Sequence, residues 1–428
     1  MTILPTISPK NQTAPVTEGG ARLRFVGGID VRVHPPEIRG VVLRVAGRGL
    51  DSQPVMHTSA AEEIPRSTAS LLEDVVLDGQ ARPARLAQLG TELSEIEAIV
   101  VQRLLNQHPG SRTSLLAFGV RDPGVWTIDP LGRSSYMGLC DAARLAETSG
   151  VNVIDDFPAR DIAQRGHGRP LEAMPYWFLL GAERQTSTLI VDVAERTTLT
   201  WLPPRKPADA GYAQLAAENL PGYSLIEKLE RAASRRLGPS FRGADHLEAQ
   251  SIDEGLLERW MSDSQGKVRL HLRPEDDETS WLLDQVAPAA LSDAVLSRMV
   301  IRTARAFLVK SIAERAELFS SSFSEQRSLL LQYSAADLRI SLAQALPEWR
   351  CENFDMQTLN EDWLPASTSA MLALLHIDQL PANLPELTGA SAPRILGRLT
   401  PGSPGAWRRL LLDMSSASHA TLPLRRAI

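Results

Sequence analysis

Cysteine is scarce in this 428-residue chain: there are two, Cys140 and Cys351. Two thiols cannot build a disulfide framework, and their separation is not that of metal ligands, so both read as reduced, mostly buried side chains of a cytoplasmic protein. Long apolar runs are missing as well. No stretch approaches the roughly 20 apolar residues that cross a bilayer. Residues 1–20, rich in Thr, Pro, Gln and Gly, lack an apolar signal core and read as a disordered lead. Nor is there a basic excess: the net charge is −6, which argues against nucleic acid as a partner. What remains is an ordinary globular balance, 43% hydrophobic and 22% charged, in a chain long enough for two lobes.

One stretch organises the rest, residues 151–171. It opens as an apolar strand, Val151, Val153 and Ile154, and runs into two carboxylates, Asp155 and Asp156. Arg160 and Asp161 follow. It closes on Gly166-His167-Gly168-Arg169-Pro170, a turn that bulky residues could not easily make. A strand ending in acids, followed by a glycine turn and a helix, is how α/β proteins present polar groups at the carboxyl ends of strands. Further strands are expected at 23–26, ending at Gly27-Gly28, and at 41–45, 114–120, 187–193 and 328–332. Leu93, Ile96, Val100 and Leu104 recur at helical spacing. Helices are also expected over 136–150 and most of 224–320, where Ser292 can cap a long one.

The 151–171 stretch resembles a segment of the anhydro-N-acetylmuramic acid kinases and the related levoglucosan kinases, T-G-I-T-V-V-x-D-F-R-x-x-D-x-A-x-G-G-Q-G-A-P-L. A second match runs from Leu380-Pro381-Ala382-Asn383 through Thr388-Gly389-Ala390 to Ile395–Gly402. The resemblance implies an α/β, two-lobed ribonuclease-H-like (actin-type, sugar-kinase-like) fold. Its first lobe would span 21–184, completed by 386–428, and its second 185–385. Dimerisation is implied only by the resemblance.

The side chains depart from the family pattern where nucleotide is held. The phosphate loop S-G-T-S is replaced by residues 29–37, where Pro35 and Pro36 remove two N–H donors; Asp30 and His34 there read as loop residues rather than ligands. The corner H-G-Q-T becomes Phe118-Gly119-Val120-Arg121, better suited to a greasy ligand than to a sugar. N-I-G-G-I-A-N becomes residues 192–198, leaving Asp192 and Glu195 as acids beside a strand end. The presumed general base of D-T-G-P-G-N falls on Glu218, with the plain alternative that Glu218 only precedes a helix. Basic residues of a further loop become the acidic 273–279 segment, and a glycine run becomes Tyr333–Asp337. Phosphoryl transfer depends on positioning and charge around the phosphates, so these changes predict loss of ATP-dependent transfer. The expectation is a cleft that binds an apolar small molecule and catalyses a cofactor-free isomerisation or cyclisation, with no cofactor and no metal. Glu218 and His167 are the candidate catalytic residues. Phe118, Val120, Asp156, Arg160, Arg169, Asp192 and Glu195 are the candidate binding residues. The alternatives are a non-catalytic pseudokinase acting through a partner and a divergent anhydrosugar kinase.

Overall fold

A computed structural model shows two sheets with helices packed against them. It describes residues 23–417 apart from 79–80, 108–113, 130–132, 181–186, 194–195, 203–215, 239, 242–250, 269–279, 321–326, 333–335, 354 and 357–358. Glu195, residues 1–20 and the acidic 273–279 segment lie outside the described residues.

The chain begins with a meander, β1 (Arg24–Arg32), β2 (Glu37–Ala46) and β3 (Gln53–Glu63). Helices α1 (Arg66–Asp78) and α2 (Pro83–Gln107) lead to β4 (Leu115–Arg121). A small hairpin, β5 (Val125–Ile128) and β6 (Ser134–Met137), precedes α3 (Ala142–Ser149), β7 (Val153–Asp155), α4 (Phe157–Ile162) and α5 (Ala173–Leu179). The second half holds β8 (Ser187–Val193), β9 (Arg196–Leu202), β10 (Ala216–Pro221), α6 (Tyr223–Leu237), α7 (Glu254–Val268), α8 (Ala294–Ser320), β11 (Arg327–Gln332), α9 (Ala336–Ala345) and β12 (Arg350–Asn353). The chain closes with α10 (Leu364–Ile377), β13 (Arg398–Thr400) and α11 (Pro404–Ala417). The first sheet runs β13-β7-β4-β1-β2-β3 and the second β10-β9-β8-β11-β12. Parallel pairs β1–β4, β4–β7 and β8–β11 lie inside the sheets, and the parallel pair β11–β12 forms one edge of the second.

Gly27 and Gly28 do not end the first strand; β1 runs on to Arg32 and is buried along its whole length. The reason is α10. A Cβ on Gly28 would lie 1.9 Å from the Ala366 carbonyl oxygen, and one on Gly119 2.1 Å from that of Ser369. The glycines let a helix rest directly on the strand backbone. α10 thus packs on both β1 and β4. Two further expectations shift locally. Tyr136 belongs to strand β6 rather than to a helix. The carboxylate of Asp293, not Ser292, caps α8, accepting from the N–H groups of Val295 and Leu296 at 2.8 and 2.9 Å.

The two stretches that carry the family resemblance meet through Asp161, which is fully buried. Its Oδ1 accepts from Asn383 Nδ2 and Thr388 Oγ1, each at 2.7 Å, and its Oδ2 accepts from the Gly168 N–H at 2.8 Å. A Cβ on Gly166 would lie 2.1 Å from that carboxylate. Asn152 ties the chain end in the same way, donating to the Leu116 and Ala406 carbonyls and accepting from the Gly402 N–H.

Candidate active site

Charged side chains gather at the carboxyl ends of β1 and β4. The parallel register places Asp30 beside Arg121. Asp30 accepts from Arg121 Nε at 3.1 Å through one oxygen and from Arg32 Nε at 3.3 Å through the other. Arg121 Nη1 also donates to Glu172 Oε1 at 2.8 Å, and Glu172 Oε2 accepts from the Leu171 N–H at 2.9 Å. Arg32 reaches Glu37 at 3.4 Å and the Asp362 carbonyl at 2.9 Å. Asp30 is therefore a buried strand residue, not a loop residue.

From the second lobe, Asp192 joins this group at the end of β8. It is 9% exposed. Burial pushes its carboxyl up to about 7; Arg121 and Arg32 pull it down, and Glu172 and Asp30 push it up. Tyr176 of α5, buried in the same group, is pushed well above the ordinary phenol range by burial and by Asp192 and Glu172. A second acid group adjoins β4 and β7. Burial, with Asp122 beside it, raises Glu97 to about 8, and its Oε2 accepts from the Cys140 thiol at 3.3 Å. Asp122, raised by burial to about 6, accepts from the N–H groups of Leu139 and Cys140 at 3.0 Å.

The residues expected from sequence fall in several places. Phe118 and Val120 are core side chains, 0% and 2% exposed, and the Phe118 ring fills the space above Gly27. They do not convert the corner into a greasy pocket. Arg160 is exposed on α4. The His167 N–H donates to the Thr388 carbonyl at 2.9 Å, which makes its turn part of the dock for the chain end. Its imidazole is half-buried and its pKa is lowered, chiefly by burial and against the pull of Asp161. Asp156 stands at the position before α4 with φ 57°, makes no capping side-chain bond, and lies 3.9 Å from Arg398. The Arg169 guanidinium stacks 3.6 Å over the Trp126 ring, which lies 4.6 Å from Tyr136. Glu218 lies on β10, opposite Leu199, which is itself opposite Val191. Asp192 lies in the alternate row, with Thr198 and Asn219. Arg32, Glu172 and Tyr176 were not singled out from sequence. The signal available was charge at the last positions of β1 and β4.

The β1–β2 turn offers no glycine cradle for phosphates. His34 beside its two prolines sits 3.2 Å from Glu227 on α6 and 3.7 Å from Glu73 on α1, and Arg231 of α6 pairs with Glu73 at 2.9 Å. Among the described residues no group of three or more His, Cys, Asp or Glu could hold a metal. Magnesium in phosphoryl-transfer sites is usually held by one or two carboxylates and the substrate's phosphates, so the acid-rich corner suits that ion better than it suits a preformed cage. Among the described residues no helix is long and apolar enough to cross a membrane.

Two mixed sheets with helices packed against them, and polar groups gathered at the strand ends, define an α/β protein. The sequence profile of the anhydro-N-acetylmuramic acid kinase family matches residues 45–402, and the chain belongs to that family. It is 28% identical over 351 residues to the anhydro-N-acetylmuramic acid kinase of Chromohalobacter salexigens, covering 78% of this chain and 90% of the relative. It is 26% identical over 373 residues to that of Bordetella petrii, covering 85% and 92%. Among solved structures it is similar to a ROK hexokinase from Thermus thermophilus, at 16% identity and a TM-score of 0.31, covering 82% of this chain and 99% of that one. The family match overturns the expectation of a pseudokinase or of a cofactor-free isomerase or cyclase: the relatives that match across most of the chain are named as kinases.

Proposed function

We propose that the chain is a divergent anhydrosugar kinase, transferring a phosphoryl group from ATP to a sugar of the anhydro-N-acetylmuramic acid type between its two lobes. The observation that carries this reading is the convergence of Asp30, Arg32, Arg121 and Glu172 of the first lobe with Asp192 of the second. A buried acid with arginines gathered beside it at the ends of central strands suits phosphoryl transfer to a hydroxyl. Asp156 and Arg169 lie on the first-lobe side and supply an acceptor and a donor for sugar hydroxyls. The altered β1–β2 turn weakens the hold on nucleotide, so a high KM for ATP is the expected signature. The test is incubation of the full chain with anhydro-N-acetylmuramic acid and magnesium ATP. ADP formation that depends on the sugar, with a phosphorylated sugar seen by mass spectrometry, is expected. Neither product at millimolar ATP sinks the reading.

A further inference from the structure

We infer that a knot of ion pairs between α1 and α6 is a reversible latch, holding the two halves of the molecule together along one edge. The inference goes beyond the kinase reading and does not depend on it. It rests on how differently the halves meet at two seams.

The first seam is apolar. The chain crosses from the first sheet to the second just after α5. There Trp177 and Phe178 of α5 share one buried cluster with Ile190 of β8 and Leu202 of β9, and α5 packs on β9. Parting this seam would put large apolar side chains into water, so it is where the halves stay joined.

The second seam is polar. Helix α1 turns Leu71, Leu72 and Val75 into one core, and α6 turns Leu225, Ile226, Leu229 and Ala233 into another; the two cores share no side chain among the described residues. At about 100° per residue, Glu73 and Asp74 fall on the far side of α1 from its core. Glu227 and Arg231, one turn apart, do the same on α6. These polar sides meet. Arg231 pairs with Glu73 at 2.9 Å and reaches Asp74 at 3.7 Å. His34 of the β1–β2 turn lies between Glu227, at 3.2 Å, and Glu73, at 3.7 Å. One Glu73 oxygen thus faces His34 of the first half and Arg231 of the second. Arg231 is 21% exposed, Glu73 32% and His34 41%. Pairs this open to water are individually weak, so the knot can part and re-form while the apolar seam holds. When it parts, the halves swing about the α5–β9 seam and the β1–β2 turn comes away from α6.

The test is a distance measured in the full chain. Spin labels on genetically encoded residues at Ser70 of α1 and Arg236 of α6, both exposed, leave the native cysteines untouched and report the separation by double electron–electron resonance. One short distance is expected to dominate in the otherwise wild-type chain at low ionic strength. Salt at about 1 M, where the screening length falls to about 3 Å, should enlarge a longer-distance population. Arg231→Glu should enlarge it several-fold at low salt, and adding Glu73→Arg should return most of it to the short distance. A distribution that neither salt nor Arg231→Glu moves overturns the latch. So does a shift that Glu73→Arg fails to reverse, because pairing would then not be its cause. The salt titration needs no latch substitution and decides the matter should Arg231→Glu fail to fold. None of these readings involves turnover, so the latch and the kinase reading stand or fall separately.

Discussion

The two ends of β1 carry the same kinds of charge and use them in opposite ways. At the amino end, Arg24 gives two nitrogens to the two oxygens of Asp378 at 2.5 and 3.0 Å, and a further bond to the Gly47 carbonyl at 3.0 Å. Asp378 also accepts from the Gly49 N–H at 2.9 Å, and Asp413 takes Arg48 at 2.8 Å. Each carboxylate there has a guanidinium partner, and the network pins the returning chain end to the first strand. At the carboxyl end, three arginines, Arg32, Arg39 and Arg121, pair with Asp30, Glu37 and Glu172, and Asp192 is the fourth acid. A matched buried network fixes one geometry. A mismatched one keeps a group ready for chemistry.

The largest effect expected from breaking this contrast is at the matched end. Asp378→Ala strands Arg24, which is 2% exposed, and should cost about 3–5 kcal/mol in urea unfolding. A loss below about 1 kcal/mol would mean that Arg24 is rescued by Asp413, already 3.6 Å away. At the mismatched end the sign reverses. The Asp192 carboxyl moves from 3.8 to about 7 on folding, so between those values the folded state binds more protons and stability falls as pH rises. Above 7 the penalty is complete. Asp192→Asn removes it, so the variant should be more stable than wild type at pH 8, by on the order of 2 kcal/mol, and no more stable at pH 3. Equal stability at pH 8 would place Asp192 in a matched network after all.

Much of the fold was legible because it is local. The strand patterns at 114–120, 187–193 and 328–332 stand within a residue or two of β4, β8 and β11. The resemblance in the two stretches 151–171 and 380–402 reflects a real contact, through Asp161. What was not legible depends on partners far along the chain. Gly27-Gly28 reads as a strand end until α10 arrives to lie on it. Phe118 and Val120 look like the lining of an apolar pocket, but a parallel strand covered on both faces is apolar for packing alone. Arg160 attracted notice and Asp161 did the structural work, one residue apart on α4. The site itself was half legible: Asp192 was visible as an acid at a strand end, whereas Arg32 and Glu172 gain meaning only from the register of β1 with β4 and the position of α5.

The smallest expected effect falls between the two extremes, at the edge of the first sheet. Arg398 lies opposite Asp155 in the antiparallel register of β13 with β7, and its Nη2 donates to Asp155 Oδ2 at 2.6 Å. Asp155 is nearly buried, 5% exposed at its side chain, but Arg398 is 63% exposed. Water can therefore replace much of what the guanidinium supplies, and Arg398→Ala should cost less than about 1 kcal/mol in a thermal or urea melt at neutral pH. The carboxyl should feel the change more than the fold does. Burial raises the Asp155 pKa and Arg398 opposes that rise, so the variant should let Asp155 protonate at a higher pH than in the wild type, which a carboxyl titration by isotope-edited infrared spectroscopy reads directly. A loss above about 3 kcal/mol would instead class Asp155 with Asp378, as a carboxylate whose ion pair holds the structure together.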